Sequence, residues 1–243
     1  MRSGAEVLAL ALAAALVTSG QPAEAIVVTA TEGYRHESIE TAEGIIVALA
    51  QRTGAFTPRF VRKQEELSSA LTPEALAATK LVMFVNTTGE LEWPERQRLL
   101  DWIAAGGSFL GAHSASDTWH QWPGYLEMLG GEFESHPEEM TAEVIVTDRV
   151  HPAGSGLLSP HPLFEEFYQF KNFAREKVTL VLTLADGSPM AWYRPYGKGR
   201  VFYTALGHRH DVWNSPWFQQ HLTGAILWSL GHEQSRRRRA VSR

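Results

Sequence analysis

The first half of the chain alternates short apolar runs with amphipathic stretches. Apolar and β-branched residues fill positions 26–30 and 81–85, and such runs are typical of strands buried on both faces. A shorter strand is predicted at 108–111, directly after the Gly106-Gly107 pair. Apolar residues also recur with a 3.6-residue period over 39–50, which predicts a helix that ends near Gly54. This alternation of strand and helix predicts a parallel sheet with helices on both faces.

Weaker patterns complete the predicted order of elements. A short strand is predicted at 59–62, a helix begun by Thr72 and Pro73, and a helix from Pro94 to the Gly106-Gly107 pair. The second half is richer in strands, predicted at 142–147, 179–184, 190–193 and 200–205, before a closing helix that runs from Ser215 to Gly231. The whole pattern predicts one α/β domain, residues 26–232, with a mostly parallel central sheet.

Polar and aromatic residues follow three of the predicted strands. The three stretches are GYRHES at 33–38, GAHSASDTWHQW at 111–122 and ALGHRHDVW at 205–213. In open α/β sheets, ligands bind beyond the carboxyl ends of the strands. We therefore expect these three loops to form one site.

The composition excludes several functions. The chain has 243 residues, no cysteine and a net charge of -5. Disulfides, thiolate catalysis and cysteine-ligated metals are thus excluded. Arg236–Arg239 and Arg243 supply five positive charges, so the rest of the chain stands near -10 (-5 minus 5), and no nucleic-acid partner is predicted. Residues 233–243 are predicted to be a basic, solvated and disordered tail.

The N-terminus has the pattern of a secretory signal peptide. Arg2 precedes an apolar run at 7–17, and Ala23-Glu24-Ala25 matches an A-x-A cleavage site. The apolar run is too short to span a bilayer comfortably. We expect residues 1–25 to be removed, which leaves a periplasmic or secreted protein without a membrane span. A strand candidate begins at Ile26 and leaves no spacer after this site, so cleavage a few residues earlier is the alternative.

The histidines of the three loops allow two kinds of chemistry. His36, His113, His208 and His210 can bind a zinc-like divalent metal through neutral imidazole nitrogens, with Asp117 or Asp211 as a ligand or an orienting partner. Alternatively, His113 or His36 acts as a general acid or base while Asp117 fixes its tautomer. No HExxH motif is present to decide between them, and each histidine can also be purely structural.

Aromatic side chains lie in or beside the same loops. Tyr34, Trp119, Trp122 and Trp213, together with Arg35, are the predicted contacts to a small-molecule carbohydrate. An aromatic ring can stack on the apolar face of a sugar. The same rings can also serve in ordinary packing, so both roles stay open.

Four segments together resemble a known family. GYRHESI, GSFLGAHSASDTW, LGGEFESHP and PMAWYRPYGKGRVFYTALGH are similar to segments of the ThuA-like domain, which is named from trehalose utilisation, and EEFYQF at 165–170 is similar to its acidic-aromatic segment. The resemblance extends over 26–231. It implies a flavodoxin-like three-layer sandwich of the class I glutamine amidotransferase type and a role in carbohydrate catabolism, with a 3-keto-glycoside as the expected substrate.

The resemblance also excludes one mechanism. Amidotransferases of this fold carry a nucleophilic cysteine after the strand that corresponds to SFLGAHSA, whereas this chain has His113 and Ser114 there. The leading hypothesis is therefore an exported enzyme that acts on a keto-sugar or glycoside by His/Asp acid-base chemistry, with or without a metal. The second hypothesis is a secreted sugar-binding or accessory module without turnover.

Overall fold

The apolar runs become strands in the structure, a computed structural model that describes residues 21–232. The strands are β1 (Ala23–Val28), β2 (Phe56–Val61), β3 (Thr79–Val85), β4 (Ser108–Ala112), β5 (Glu132–Ser135), β6 (Met140–Val146), β7 (His161–Glu165), β8 (Gln169–Lys171), β9 (Thr179–Leu184), β10 (Pro189–Tyr196) and β11 (Gly199–Thr204). The α-helices are α1 (Ile39–Thr53), α2 (Leu67–Ala70), α3 (Pro73–Ala78), α4 (Gln97–Ala105), α5 (Pro123–Leu129), α6 (His210–Asn214) and α7 (Pro216–Ser229).

Nine of these strands form one sheet in the order β2-β1-β3-β4-β11-β10-β9-β6-β7. The first five are mutually parallel, as predicted. Helical segments connect β1, β2, β3 and β4 in turn, whereas β11 follows β10 through a short turn. From β11 to β7 every pairing is antiparallel, so the sheet is mixed. Four antiparallel steps return β7 to the direction of β11, and its carboxyl end therefore lies at the same edge as those of the parallel strands.

Helices cover both faces of the parallel half and give the predicted three layers. On one face α1, α6 and α7 contact one another, and α7 also contacts β4 and β11. On the other face α4 and α5 contact each other and β11, while α3 packs on β3. The central strands are buried on both sides, since every residue of β4 is buried. This double burial explains why their sequences are continuously apolar.

Several predicted element ends differ from the observed ones. Helix α4 begins at Gln97 rather than at Pro94, because residues 94–96 form a turn that precedes the helix. Short elements without a clear period, β5, β7, β8, α5 and α6, were not predicted at all. Glycines follow two helices as expected. Gly54 is left-handed (φ 61°) after α1. After α4, the chain at Gly107 passes so close to the Trp102 ring that a Cβ there would clash with it.

The fold begins three residues before the predicted domain boundary at residue 26. β1 begins at Ala23, and Ala25 is fully buried, paired with Pro58 of β2 and Leu81 of β3. Cleavage after Ala25 would remove the first three residues of this strand. Residues 1–20 and the predicted tail at 233–243 lie outside the described residues. Within 21–232, none of the helices has the length and apolar character needed to cross a bilayer.

A small second sheet, β5 with β8, is fastened to the loop after β4 by one histidine. His120 Nδ1 lies 2.7 Å from Glu132 Oε1 in β5, and its Nε2 lies 2.7 Å from Asp117 Oδ1. Lys171 Nζ (3.0 Å) and Asn172 Nδ2 (2.9 Å) complete the surroundings of the Glu132 carboxylate. Burial lowers the pKa of His120, but the bonds to Glu132 and Asp117 outweigh it and raise the pKa overall.

We predict that His120 stabilises the fold in a pH-dependent way. Because its folded pKa is raised, its contribution is complete below the unfolded value of about 6.5 and is lost as the pH rises through the folded pKa. His120→Gln should lower the free energy of unfolding by about 1 kcal/mol near pH 6, a value reduced for solvent screening of a partly exposed group.

Thermal unfolding of both proteins from pH 6 to pH 9 measures this effect. The difference in Tm between them should shrink as the pH rises. His161→Gln is the control, because burial lowers the pKa of His161 and its replacement should not reproduce this trend. A difference for His120→Gln that is constant over the range would contradict the prediction.

Candidate functional site

The site is centred on His113, the first residue after β4. It begins a 3₁₀ helix, His113–Asp117, and has a left-handed backbone (φ 50°) that is uncommon for any residue except glycine. Its ring is fully buried, and Nδ1 lies 2.9 Å from the carbonyl oxygen of Ala205, beyond β11. A carbonyl only accepts hydrogen bonds, so Nδ1 carries the hydrogen and Nε2 has the lone pair in the neutral ring.

Two further histidines approach His113 Nε2 from neighbouring loops. His36, beyond β1, places its Nε2 at 3.1 Å, and His208, beyond β11, places its Nδ1 at 3.3 Å. The three rings are mutually edge-to-face or nearly so, with centroids 4.7 to 5.2 Å apart. The structure therefore brings together three of the four histidines that the sequence analysis proposed as metal ligands.

A carboxylate from the antiparallel half of the sheet joins them. After β7 the chain returns along the carboxyl edge, and Glu166 Oε2 reaches within 3.4 Å of His113 Nε2 and 3.2 Å of His208 Nδ1. The preceding residue, Glu165, fixes this return because its Oε2 accepts a hydrogen bond from the Gly207 amide at 2.9 Å. In the same return segment, the Tyr168 hydroxyl lies 3.0 Å from His113 Nε2.

The four side chains His36, His113, Glu166 and His208, here called the His₃Glu cluster, lie close enough together to hold a cation. Each offers one ligand atom, and these atoms all lie within 4.8 Å of one another. Ligand atoms about 2.0–2.1 Å from a tetrahedral zinc lie about 3.3 Å apart. Four of the six separations in the cluster, 3.1 to 3.4 Å, are near that value, and all six are within 4.8 Å. Three imidazoles and one carboxylate suit zinc and several other first-row divalent metals.

Outer contacts hold the remaining heteroatom of every ligand. Besides the Ala205 carbonyl on His113, the Ser114 hydroxyl lies 3.4 Å from His36 Nδ1, and Glu139 Oε1 lies 3.3 Å from His208 Nε2. His136 Nδ1 lies 3.1 Å from Glu166 Oε1. Contacts of this kind set the tautomer and ring orientation of histidines in metal sites.

The pKa values of the cluster favour the metal-binding protonation states in three of the four groups. Burial, then the proximity of His113 and His208, lowers the pKa of His36 to about 2, and burial likewise lowers the pKa of His113. Burial raises the pKa of Glu166, but its contacts with His113 and His208 outweigh it and lower the pKa overall. For His208, burial lowers the pKa, and the bond to Glu166 more than reverses this.

A polar cleft of about 280 Å³ opens beside the cluster. Its lining combines one strongly exposed aromatic ring with acidic and basic side chains: Tyr34, Glu37, Ser38, Glu139, His208, Arg209, His210 and Asp211. The volume is near the lower limit for small-molecule sites, roughly 300–1,000 Å³. The cleft therefore fits a small polar ligand that reaches His208 from solvent.

Asp117, predicted to be catalytic, does not join the His₃Glu cluster. The 3₁₀ helix turns it away from His113, and its carboxylate binds His120 instead. His210, predicted to be a metal ligand, is also outside: it is exposed in the cleft, with Nδ1 2.7 Å from the Thr41 hydroxyl. His208 and His210 would point to the same side if the backbone between them were extended. His210 is instead the first residue of α6, so the two side chains are separated.

The structure also separates the predicted aromatic contacts. Tyr34 lines the cleft and is 64% exposed. In contrast, Trp119 and Trp213 have no exposed surface, and their indole N–H groups donate to the carbonyls of Leu91 and Gly207. A ring without an exposed face cannot stack on a sugar, so these two predictions are corrected to packing roles.

The two remaining predicted contacts lie outside the cleft lining. Trp122 is half-buried, stacks on Tyr125 and is covered by the Arg96 guanidinium, which lies 4.9 Å from its ring centroid. Arg35 is exposed, and its Nη1 donates to the Thr29 carbonyl at 3.2 Å. Neither residue contacts the His₃Glu cluster through these interactions.

Sequence reasoning missed two members of the site, Glu166 and Tyr168. Both belong to EEFYQF, whose similarity to the acidic-aromatic family segment was the one available signal. Their neighbourhood had no predicted strand, because β7 is a five-residue edge strand. Without β7, nothing in the sequence indicated that this segment returns to the edge where the histidines lie.

Comparisons with known proteins agree with the fold. The structure of a ThuA-like protein from Parabacteroides merdae matches with a TM-score of 0.72 at 17% identity, over 88% of this chain and 92% of the other. A ThuA-like protein from Bacteroides uniformis gives 0.72 at 17% identity, over 91% and 98%. A β-galactosidase from Rahnella sp. R3 gives 0.59 at 13% identity, over 86% of this chain but 31% of the enzyme.

A search of the curated proteins found no match. The sequence profile of the ThuA family, described as trehalose utilisation, matches residues 24–229, and so begins one residue into β1 and ends at the last residue of α7. The expected amidotransferase-like α/β fold is thereby confirmed together with the resemblance that predicted it. The chain belongs to the ThuA family.

Proposed function

We propose that the protein is a carbohydrate-active enzyme that binds a divalent cation at the His₃Glu cluster and acts on a keto-sugar or 3-keto-glycoside. The observation that carries the proposal is the convergence of four ligand atoms, from loops far apart in sequence, beside a polar cleft. Membership of the trehalose utilisation family supports a sugar as the ligand. A metal such as zinc would fit the donor set.

The proposed chemistry starts at the carbon next to the ketone. A C3 ketone acidifies the proton on C2, and a cation bound at the cluster would stabilise the resulting enediolate as a Lewis acid. His36, His113, His208 and Glu166 would hold the ion. His210, outside the cluster but in the cleft, is available as a proton acceptor, so ion binding and acid-base chemistry do not require the same imidazole. Elimination of the C1 substituent and isomerisation both begin with this proton transfer, and addition of water to the elimination product can follow.

The cleft supports the choice of substrate class. Its acidic and basic side chains offer both donors and acceptors for hydroxyl groups, and the exposed Tyr34 ring can pack on the apolar face of a pyranose. Arg209 is already held by Glu139 (2.6 Å) and Asp211 (2.9 Å), so it is a weak candidate for binding an anionic ligand. A neutral sugar fits this balance better than a phosphorylated one.

A non-catalytic sugar-binding module remains the second candidate, and it is supported by the same exposed Tyr34 at the cleft. It predicts sugar binding that does not depend on the cluster. Substitutions at the cluster and at Tyr34 therefore distinguish the two functions.

We also propose that the protein is exported to the periplasm or secreted, as residues 2–25 of the sequence predict. The buried pairing of Ala25 requires that a signal peptidase cut earlier than the predicted site if β1 is to remain whole.

Metal analysis tests the cation site. We predict near-stoichiometric zinc, cobalt or manganese in wild-type protein, and at least a roughly 100-fold loss of affinity in His113→Ala, His208→Ala and Glu166→Gln, since even the loss of an outer contact costs 10- to 100-fold. The control is His210→Ala, which should bind the metal as wild type because His210 is outside the cluster. Failure of the wild-type protein to take up any of the three metals after reloading would exclude the site.

Substitution of Tyr34 tests the cleft. We predict that Tyr34→Ala raises the KM for a 3-keto-glucoside about tenfold, while kcat changes little, because the ring contributes to binding rather than to the reacting atoms. Tyr34→Phe keeps the ring and should behave as wild type. Sugar binding by titration without turnover, unaffected by His113→Ala, would instead support the binding module.

N-terminal sequencing of the exported protein tests the boundary. We predict a mature N-terminus at or before Ala23, because removal of 23–25 would leave Pro58 without its strand partner and would expose the buried Leu81. Mature protein that begins at Ile26 and is fully folded would contradict this. A cytoplasmic, uncleaved protein would contradict the proposal of export.

A further inference from the structure

Tyr168 is a buried residue that the proposed function does not yet use. It is only 4% exposed, and its ring is held between the rings of His113 and Phe133, each with a centroid 4.3 Å away. Its position follows from the return segment, in which Glu166 enters the cluster two residues earlier. The ring is therefore fixed with its hydroxyl at the cluster, 3.0 Å from His113 Nε2.

The hydrogen bonds of His113 show what happens to this hydroxyl when a cation binds. Nδ1 already donates to the Ala205 carbonyl, so Nε2 is the one nitrogen of the ring that can accept a bond or bind an ion. Within residues 21–232, Nε2 is also the one hydrogen-bond partner that the structure gives the Tyr168 hydroxyl. A cation at Nε2 takes that lone pair and leaves the hydroxyl without an acceptor, beside the ion.

The other hydroxyl groups near the cluster are engaged elsewhere. Ser116 Oγ lies 2.8 Å from the Tyr203 hydroxyl, which itself donates to the His113 carbonyl at 2.7 Å. Ser114 Oγ lies 3.4 Å from His36 Nδ1, on the side of that ring away from the cluster centre. Occupation of the cluster breaks none of these bonds, so Tyr168 differs from its neighbours in losing its partner.

We infer that Tyr168 is a catalytic residue whose hydroxyl donates a hydrogen bond to an oxygen of the substrate bound at the cluster. The inference rests on the proposed function and specifies its ligand class: compounds with oxygens on adjacent carbons, such as α-hydroxy ketones and α-hydroxy acids. One oxygen binds the cation, and the neighbouring one accepts the bond from Tyr168. This bond strengthens as that oxygen gains charge, which is the requirement for stabilising an enediolate.

A cobalt-loaded protein and glycolate, a small α-hydroxy acid, test the inference without the natural substrate. Visible absorption of bound Co²⁺ reports the cation site, and its change on titration with glycolate reports ligand binding. We expect wild type, Tyr168→Phe and Tyr125→Phe to take up Co²⁺ alike. Tyr168→Phe should bind glycolate about tenfold more weakly, the effect of losing one charge-assisted hydrogen bond.

Tyr125→Phe is the matched control, because it removes another fully buried tyrosine hydroxyl that donates to the Ala115 carbonyl, away from the four ligands. It should bind glycolate within about twofold of wild type, a difference that is small against the expected effect. The Co²⁺ spectrum of each variant also shows that its site is folded.

The outcomes separate the inference from the proposed function. A Tyr168→Phe variant with a normal Co²⁺ spectrum and wild-type glycolate affinity would overturn the role of Tyr168 and leave the cation site standing. A wild-type protein that takes up Co²⁺ but does not bind glycolate would overturn the ligand class. Absence of any Co²⁺ spectrum in wild type would overturn the cation site and, with it, the inference.

Discussion

The hydrogen bond between His113 Nδ1 and the Ala205 carbonyl determines how the rest of the site is arranged. It joins the ends of two neighbouring parallel strands, β4 and β11, and leaves Nε2 as the one free nitrogen of a fully buried ring. A buried lone pair is costly unless a donor or a cation faces it. The groups that can donate to Nε2 are the His36 ring at 3.1 Å, the Tyr168 hydroxyl at 3.0 Å and the His208 ring at 3.3 Å.

The sequence could identify the histidines but not their carboxylate. His36, His113 and His208 each follow a central apolar strand, so parallel pairing alone brings them to one edge. Glu166 follows an edge strand in the antiparallel half, and the chain must return along the sheet to place it. Asp117 is closer to His113 in sequence, yet the 3₁₀ helix directs it to His120. Closeness in sequence to His113 therefore predicted the members of the cluster poorly, whereas the order of the strands predicted its three histidines well.

For the aromatic residues, the sequence predicted the location near the site but not the role. Trp119 and Trp213 lie in loops that border the site, as predicted, but they form its support, with indole N–H groups bonded to backbone carbonyls inside the fold. Their packing holds the loops that carry the polar residues, since Trp213 binds the carbonyl of Gly207 directly before His208. Loop composition alone cannot distinguish a ring that supports a site from one that contacts a ligand, whereas exposure can, as it does for Tyr34.

The left-handed backbone at His113 relates this site to the amidotransferase fold. In those enzymes a cysteine on the turn after the equivalent strand attacks the substrate, and here the same turn presents an imidazole with φ 50°. Such strain persists where the surroundings fix it, and it is concentrated at functional sites. An imidazole locked by the Ala205 carbonyl is suited to hold an ion rather than to form a covalent bond, because its one free nitrogen faces two other imidazoles and a carboxylate. The Tyr168 hydroxyl lies beside this turn, 3.0 Å from His113 Nε2, where a fixed donor could act on a ligand bound at the cluster.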